Sequence, residues 1–224
     1  QFTFSDKNRY LTGYIQLALQ GDSSRGYPKK NFKLKFFEDD KFKKKLKWKP
    51  KADWDKNHKF NLKANYIDAT QARNLVNAAV FKDATAITPL EHDSQYPLLK
   101  SQGLGQMEGF PIELYFNGNY YGLMTFNTKK DDKPYGLDSD NLATEGLTCE
   151  TSESNLGDPS MTIDGKNYAT IVQDTVSDEL KTNFKKMLTF IKESSDEDFK
   201  AQIGNYIDLK SAMNCMLYGT FSHM

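Results

Sequence analysis

A polar loop bounded by glycines, Gly21-Asp22-Ser23-Ser24-Arg25-Gly26, runs into a lysine-bearing segment, Tyr27-Pro28-Lys29-Lys30-Asn31-Phe32-Lys33-Leu34-Lys35-Phe36. Glycines let backbone N–H groups turn inward, and serine, arginine and lysine add donors and positive charge, a combination suited to phosphate oxygens. Arg25, Lys30 and Lys33 are the candidate anion-holding residues. Alternation puts Lys33 and Lys35 on one face of a strand and Lys30 on the other. Lys30 and Lys33 therefore share a site only if the chain bends between them. The stretch carries neither the P-loop signature nor the dinucleotide fingerprint, so it speaks for an anion and not for one ligand.

A second set of residues offers aromatic surface. Phe110, Ile112, Leu114 and Phe116 alternate up to Asn117-Gly118, the dipeptide a type I′ hairpin turn favours. A regular two-residue hairpin would pair Phe116 with Asn119, Leu114 with Tyr121 and Ile112 with Leu123, making one apolar face. The opposite face would carry Glu113, Tyr115, Tyr120, Gly122 and Met124, with Glu113 across from Gly122 and open space above the glycine. Such a face has the shape to hold a flat ring, or to pack beneath another element.

Several elements must position these groups. Tyr14 to Gln20 alternates as a half-buried strand, so the chain reads as strands through about residue 37. Residues 38–60 form a charged connection in which Lys41 to Lys51 interleave with Phe42 and Trp48, Trp54 following. Lysines among aromatics are one way to bind nucleic acid, but a solvated ribbon with lysine on its outer face accounts for the same letters and is the preferred reading. Asp68-Ala69-Thr70-Gln71 resembles a capping box, predicting an amphipathic helix over 69–82 with Ala72, Leu75, Val76 and Ala79 inward and Arg73 and Asn74 outward. Lys129 to Pro134 reads as a turn, and 148–165 shows little periodicity. Three helices close the chain. The first lies behind Ser177 with a stripe of Leu180, Phe184, Met187, Leu188 and Ile191. The second opens at Ser195, and the third is capped by Asp208 with Leu209, Ala212, Met213, Met216, Leu217 and Thr220 as core positions.

The chain has 224 residues, with thirty basic and thirty acidic side chains, so net charge argues for neither nucleic acid nor membrane. The balance is uneven: residues 1–100 carry 20 Lys and Arg against 11 Asp and Glu, and residues 101–224 carry 10 against 19. That division suits an anionic ligand on the first half. Two cysteines, Cys149 and Cys215, do not make a disulfide framework and read as free thiols, and no Cys/His spacing suggests zinc. No apolar run is long enough to span a bilayer. A chain opening on Gln1 reads as an excised or processed piece, so its N-terminus gives no localisation. Strands followed by helices indicate an α+β protein in two parts. Residues 1–126 make a β-rich region with one helix, and 127–224 a loop-rich and then helical region.

Three blocks in this order resemble the CotH kinase family, the spore coat protein H-like atypical protein kinases. They are Arg25 to Phe36; Phe60-Asn61-Leu62-Lys63-Ala64-Asn65-Tyr66-Ile67-Asp68 with Arg73-Asn74; and Glu113-Leu114-Tyr115-Phe116-Asn117-Gly118-Asn119-Tyr120-Tyr121-Gly122-Leu123. The resemblance spans nearly the whole chain. It implies a two-lobe, atypical protein-kinase-like fold, a mixed or antiparallel sheet lobe followed by helices. It also implies ATP with Mg2+ and phosphoryl transfer to serine in a protein. Carried onto this sequence, Arg25 and Lys30 or Lys33 would hold phosphates, while Tyr115, Tyr120 or Tyr121 would flank the adenine. The family's two aspartates follow the segment matching residues 208–220, so they are expected beyond Met224, and no catalytic residue is assigned within the chain. The piece alone is therefore expected to be inactive. The alternative is a non-catalytic structural or host-recognition module of a secreted surface protein or a phage tail-associated protein. The resemblance places such chains at a bacterial cell or spore surface, in secretion, or in a virion, with protein and not nucleic acid or membrane as partner.

Overall fold

The computed structural model describes residues 1–87, 101, 103–137, 149–151, 161–163, 166–170 and 176–222. Residues Gln1–Val80 and Gln106–Lys129 make one compact unit, and the described remainder makes a second. The fold is α+β, with a curled antiparallel sheet and, among the described residues, four α-helices.

The first unit is a six-stranded antiparallel sheet. Its strands are β1 (Phe2–Ser5), β2 (Tyr10–Gln20), β3 (Asn31–Phe37), β4 (Lys59–Lys63), β5 (Gly109–Phe116) and β6 (Asn119–Thr128), in the order β1-β2-β3-β4-β6-β5. Although β1 and β5 are the two edges, Phe4 and Phe110 bring their rings within 6.4 Å, so the sheet curls round until its edge strands approach. Alternation explains what fills the curl. Leu34 and Phe36 of β3, Phe60 and Leu62 of β4, and Met124 and Phe126 of β6 all point inward and are buried. Trp48 and Trp54 join them from the 38–58 connection, 8% and 1% exposed. These tryptophans are core and not stacking platforms, whereas Phe42 of the same connection is 38% exposed.

The lysine-rich turn after β3 is folded onto a single carboxylate. Asp39 accepts N–H donors from Lys41 at 3.0 Å, Lys43 at 3.1 Å and Lys44 at 2.5 Å. Those contacts, that from Lys44 first, hold its carboxyl below the usual carboxylate range.

The hairpin forms where expected, with Asn117 and Gly118 at φ of 51° and 82°, as a type I′ turn requires. Its register departs from the regular one. Tyr115 pairs with Tyr120, but Leu114 then pairs with Gly122, Glu113 with Leu123 and Ile112 with Met124, so Tyr121 is an extra residue in a β-bulge. Glu113 is therefore not opposite Gly122. Nor is there open space above that glycine: an added Cβ would lie 3.1 Å from the Lys29 side chain, and its φ of 147° already disfavours any other residue.

The first helix, α1 (Arg73–Ile87), starts later than 69–82 predicts. Gln71 adopts a φ of 59°, which breaks a helix, and its side chain turns back to donate to the Asn65 carbonyl at 2.8 Å and that of Asp68 at 2.9 Å. Asp68 instead accepts the N–H of Thr70 at 3.0 Å and of Arg73 at 2.9 Å, serving as a cap across a longer turn. The inward positions are Leu75 and Ala78, whereas Val76 is 54% exposed and Ala79 is exposed as well.

In the second unit a three-stranded antiparallel sheet, β7 (Cys149–Thr151), β8 (Met161–Ile163) and β9 (Lys166–Thr170), runs in the order β7-β9-β8. Tyr168 and Val176 are buried under Leu180, Phe184 and Leu188 of α2 (Asp178–Glu193), which the Ser177 side chain caps through the Leu180 N–H. Ser195 caps α3 (Asp196–Gln202), and Asp208 accepts the Ser211 N–H at 2.8 Å at the start of α4 (Leu209–Ser222). All three helix starts agree with the sequence. On α4, though, Met213, Met216 and Leu217 are exposed and not core. The inward side is set by Tyr218, whose ring meets Phe81 edge to face at 5.2 Å. Cys215 is a free, exposed thiol, while the Cys149 side chain and residues 152–160 lie outside the described residues.

Candidate functional site

The polar loop becomes a short 3-10 turn over Ser23–Gly26, closed by the Arg25 N–H on the Asp22 carbonyl at 3.0 Å, and Arg25 itself is exposed. Lys30 turns its ammonium back onto the Arg25 carbonyl at 2.6 Å, and its N–H donates to the Tyr121 hydroxyl at 2.9 Å. Arg25, Lys30 and Tyr121 are thus joined, and the Tyr121 ring packs inward against Phe32 and Phe116. Tyr115 and Tyr120 form a separate exposed pair beside the turn, ring centroids 5.3 Å apart. The Tyr115 hydroxyl donates to Glu113 at 2.9 Å, and that bond, before desolvation and charge, raises its pKa.

Lys33 stands elsewhere, on the face of the sheet turned away from the aromatic core. Register places it between Ala18 and Asn61, and Asn61 opposite Asn127. The same face carries Thr125 of β6 and, by alternation along β5, Tyr115. Two features make this row unusual. Asn61 is 7% exposed and Asn127 1%, and the Oδ1 atom of each is buried without a hydrogen-bond partner. Buried amide oxygens without donors cost stability, and two side by side amount to a prepared pair of acceptors. The Leu75 side chain of α1 and the backbone at Gly109 hem in this pair: a Cβ on Gly109 would come 2.3 Å from the Asn127 Oδ1 and 2.7 Å from Leu75. The Asn65 side chain continues the row, donating to the Thr125 hydroxyl at 3.2 Å. Sequence reasoning missed the two asparagines, which lie far apart in the chain and meet only through strand pairing.

It also missed Lys29. Its ammonium donates to the Ala64 carbonyl at 3.0 Å, to the Leu123 carbonyl and to the Gln71 side chain at 3.4 Å, tying the loop to β6 and to the entry of α1. Burial lowers its pKa.

A cleft of about 620 Å³ opens between the sheet edges, lined by Thr3 to Asp6, Arg9, Pro50, Lys51 and Phe110 to Tyr115. Within it Arg9 holds Asp6 at 2.5 Å and the Lys49 carbonyl at 2.9 Å, and only Tyr115 of the candidate residues reaches it.

His58, 8% exposed at the head of β4, carries the strongest electrostatic signature. Burial first, and then the positive charges of Lys59, Lys45, Lys47 and Lys35, push its pKa down to about 4 from the ordinary 6.5. An imidazole whose pKa is lower folded than unfolded takes up its proton more readily when the chain unfolds. Stability is then unaffected above about pH 6.5, falls between about 6.5 and 4, and the loss is complete below the folded value, on the order of 2 kcal/mol. Urea unfolding followed by tryptophan fluorescence across that range should show this decline. It should be flattened in His58→Gln, and an equal decline in the variant would assign it to other groups.

The curled antiparallel sheet and the helices define an α+β protein. The family model described as CotH kinase protein matches residues 17–223, and the chain belongs to the CotH kinase family. No curated protein matches it.

Proposed function

We propose that the Lys33 face of the six-stranded sheet binds ATP, and that the chain is the nucleotide-holding portion of an atypical protein kinase built on a two-lobe plan. Membership of the CotH kinase family supports the activity class. The observation that carries the site is the pair of partnerless buried acceptors, Asn61 and Asn127, beside a lysine with no ion pair among the described residues.

Each group has a role that its chemistry dictates. The Lys33 ammonium is a point charge for phosphate oxygens. The Asn61 and Asn127 oxygens would accept N–H bonds from an amino-bearing base once the Leu75 side chain that hems in Asn127 moves aside. Tyr115 and Tyr120 present ring faces on the same side of the sheet. Arg25, Lys30 and Tyr121 form a second, joined group whose exposed guanidinium is free to meet phosphate from the loop side. When bound, ATP supplies the phosphoryl group that a protein serine would accept. Among the described residues no three His, Cys, Asp or Glu side chains cluster, and no residue is assigned to the metal.

Thermal-shift titration with ATP tests the reading. The wild-type chain should be stabilised. Lys33→Ala, a change at an exposed side chain, should leave the unliganded melting temperature unchanged and weaken ATP binding about tenfold or more. Absence of any shift at millimolar ATP, or an unaltered shift in the variant, overturns it.

A further inference from the structure

Lys35, Lys45, Lys47 and Lys59 form a cationic strip beside Lys33. Lys35 and Lys59 lie directly opposite each other across β3 and β4. Lys45 is bridged to Phe37, and the Leu46 N–H donates to the Phe36 carbonyl at 3.0 Å, which lays the 45–48 segment along the end of β3. Leu46 and Trp48 pack into the core, so by alternation Lys45 and Lys47 project outward. All four lie near enough to His58 for their charges to act on it.

None of the four is in an ion pair among the described residues. Of the neighbouring acids, Glu38 takes Lys44 and Asp39 is occupied by backbone N–H groups. Like charges facing each other across strands destabilise a sheet, and a bound anion would relieve that repulsion.

The geometry points to this strip as a docking surface for an acidic, extended segment of the protein substrate, leading away from the phosphate end at Lys33. Alternate lysines on β3 recur every ~7 Å, the repeat at which an extended peptide presents alternate side chains. Single-stranded nucleic acid would instead need aromatic faces between the lysines; Trp48 and Trp54 have theirs in the core, and Phe42, before the strip, is set edge to face against Phe37 at 5.3 Å. Naming the occupant as substrate rests on the proposed kinase activity; the affinity for an acidic chain does not.

The test is fluorescence anisotropy of the chain with a labelled peptide of alternating serine and glutamate, a serine–glutamine peptide of equal length, and an oligo-dT strand, each at low and high salt. The acidic peptide should bind at low salt and the neutral one should not. Lys45→Glu with Lys47→Glu should weaken binding about tenfold or more, while ATP stabilisation and tryptophan fluorescence stay as in the wild type. Equal binding of both peptides, an unaffected double variant, or oligo-dT bound more tightly than the acidic peptide would each overturn the docking surface. If the peptide is lost and the ATP shift kept, the strip falls alone. If the peptide binds without an ATP shift, the nucleotide reading falls and the acidic occupant is no longer a substrate.

Discussion

Truncating Phe60 to alanine is expected to produce the largest loss of stability available at a single position of the sheet unit, about 3–5 kcal/mol. Phe60 is 2% exposed and its ring lies 5.0 Å from Phe126, 5.9 Å from both Phe36 and Trp48, and 6.2 Å from Trp54. Removing it empties the middle of an aromatic cluster whose members are held by strands on either side, so the surroundings cannot close over the space. The chain's two tryptophans both belong to that cluster, which makes their fluorescence a report on this unit alone. A urea titration should show the midpoint falling with little change in slope. A loss below about 1 kcal/mol would mean that the cluster is not the centre of the core.

The second large effect is expected at Lys29. Lys29→Met keeps most of the aliphatic stem and removes the ammonium, leaving the carbonyls of Ala64 and Leu123 without their donor, at a cost of about 2–3 kcal/mol. The consequence should reach function, since the same ammonium joins the loop to β6 and to Gln71 at the entry of α1. In Lys29→Met, ATP stabilisation should fall by more than in a Lys30→Met control, whose ammonium meets only the carbonyl of Arg25. Equal stability of the two variants would show that Lys29 is a surface lysine whose contacts contribute nothing.

Much of this was legible in the chain. Local chemistry announced the Asn117-Gly118 turn and the three helix caps at Ser177, Ser195 and Asp208, because each depends on one or two neighbouring residues. What escaped depends on partners distant in sequence. The delayed start of α1 comes from Gln71, whose side chain finds carbonyls at Asn65 and Asp68 and takes the backbone into a left-handed turn. The buried tryptophans were readable in principle: Lys45-Leu46-Lys47-Trp48-Lys49 alternates as strictly as any strand, placing Trp48 with Leu46 on the inner side. Nothing in the letters distinguishes Lys29 from Lys30, although one is a tie inside the fold and the other is not. Asn61 and Asn127 become neighbours only once β4 and β6 are paired. The proposed site is therefore a product of topology more than of motif.

The extra residue in the hairpin has a bearing on how this part of the molecule tolerates change. With Tyr121 looped out of step, Tyr115 and Tyr120 remain matched near the turn while the pairs beyond it are offset by one. Deleting Tyr121 itself would leave a regular hairpin with Gly122 to Asn127 on their present faces, but losing a codon beyond the bulge would turn the rest of β6 inside out, taking Met124 and Phe126 off the aromatic core and Thr125 and Asn127 into it. Swapping letters within the tip is mild by comparison, so the hairpin guards its residue count more closely than its spelling.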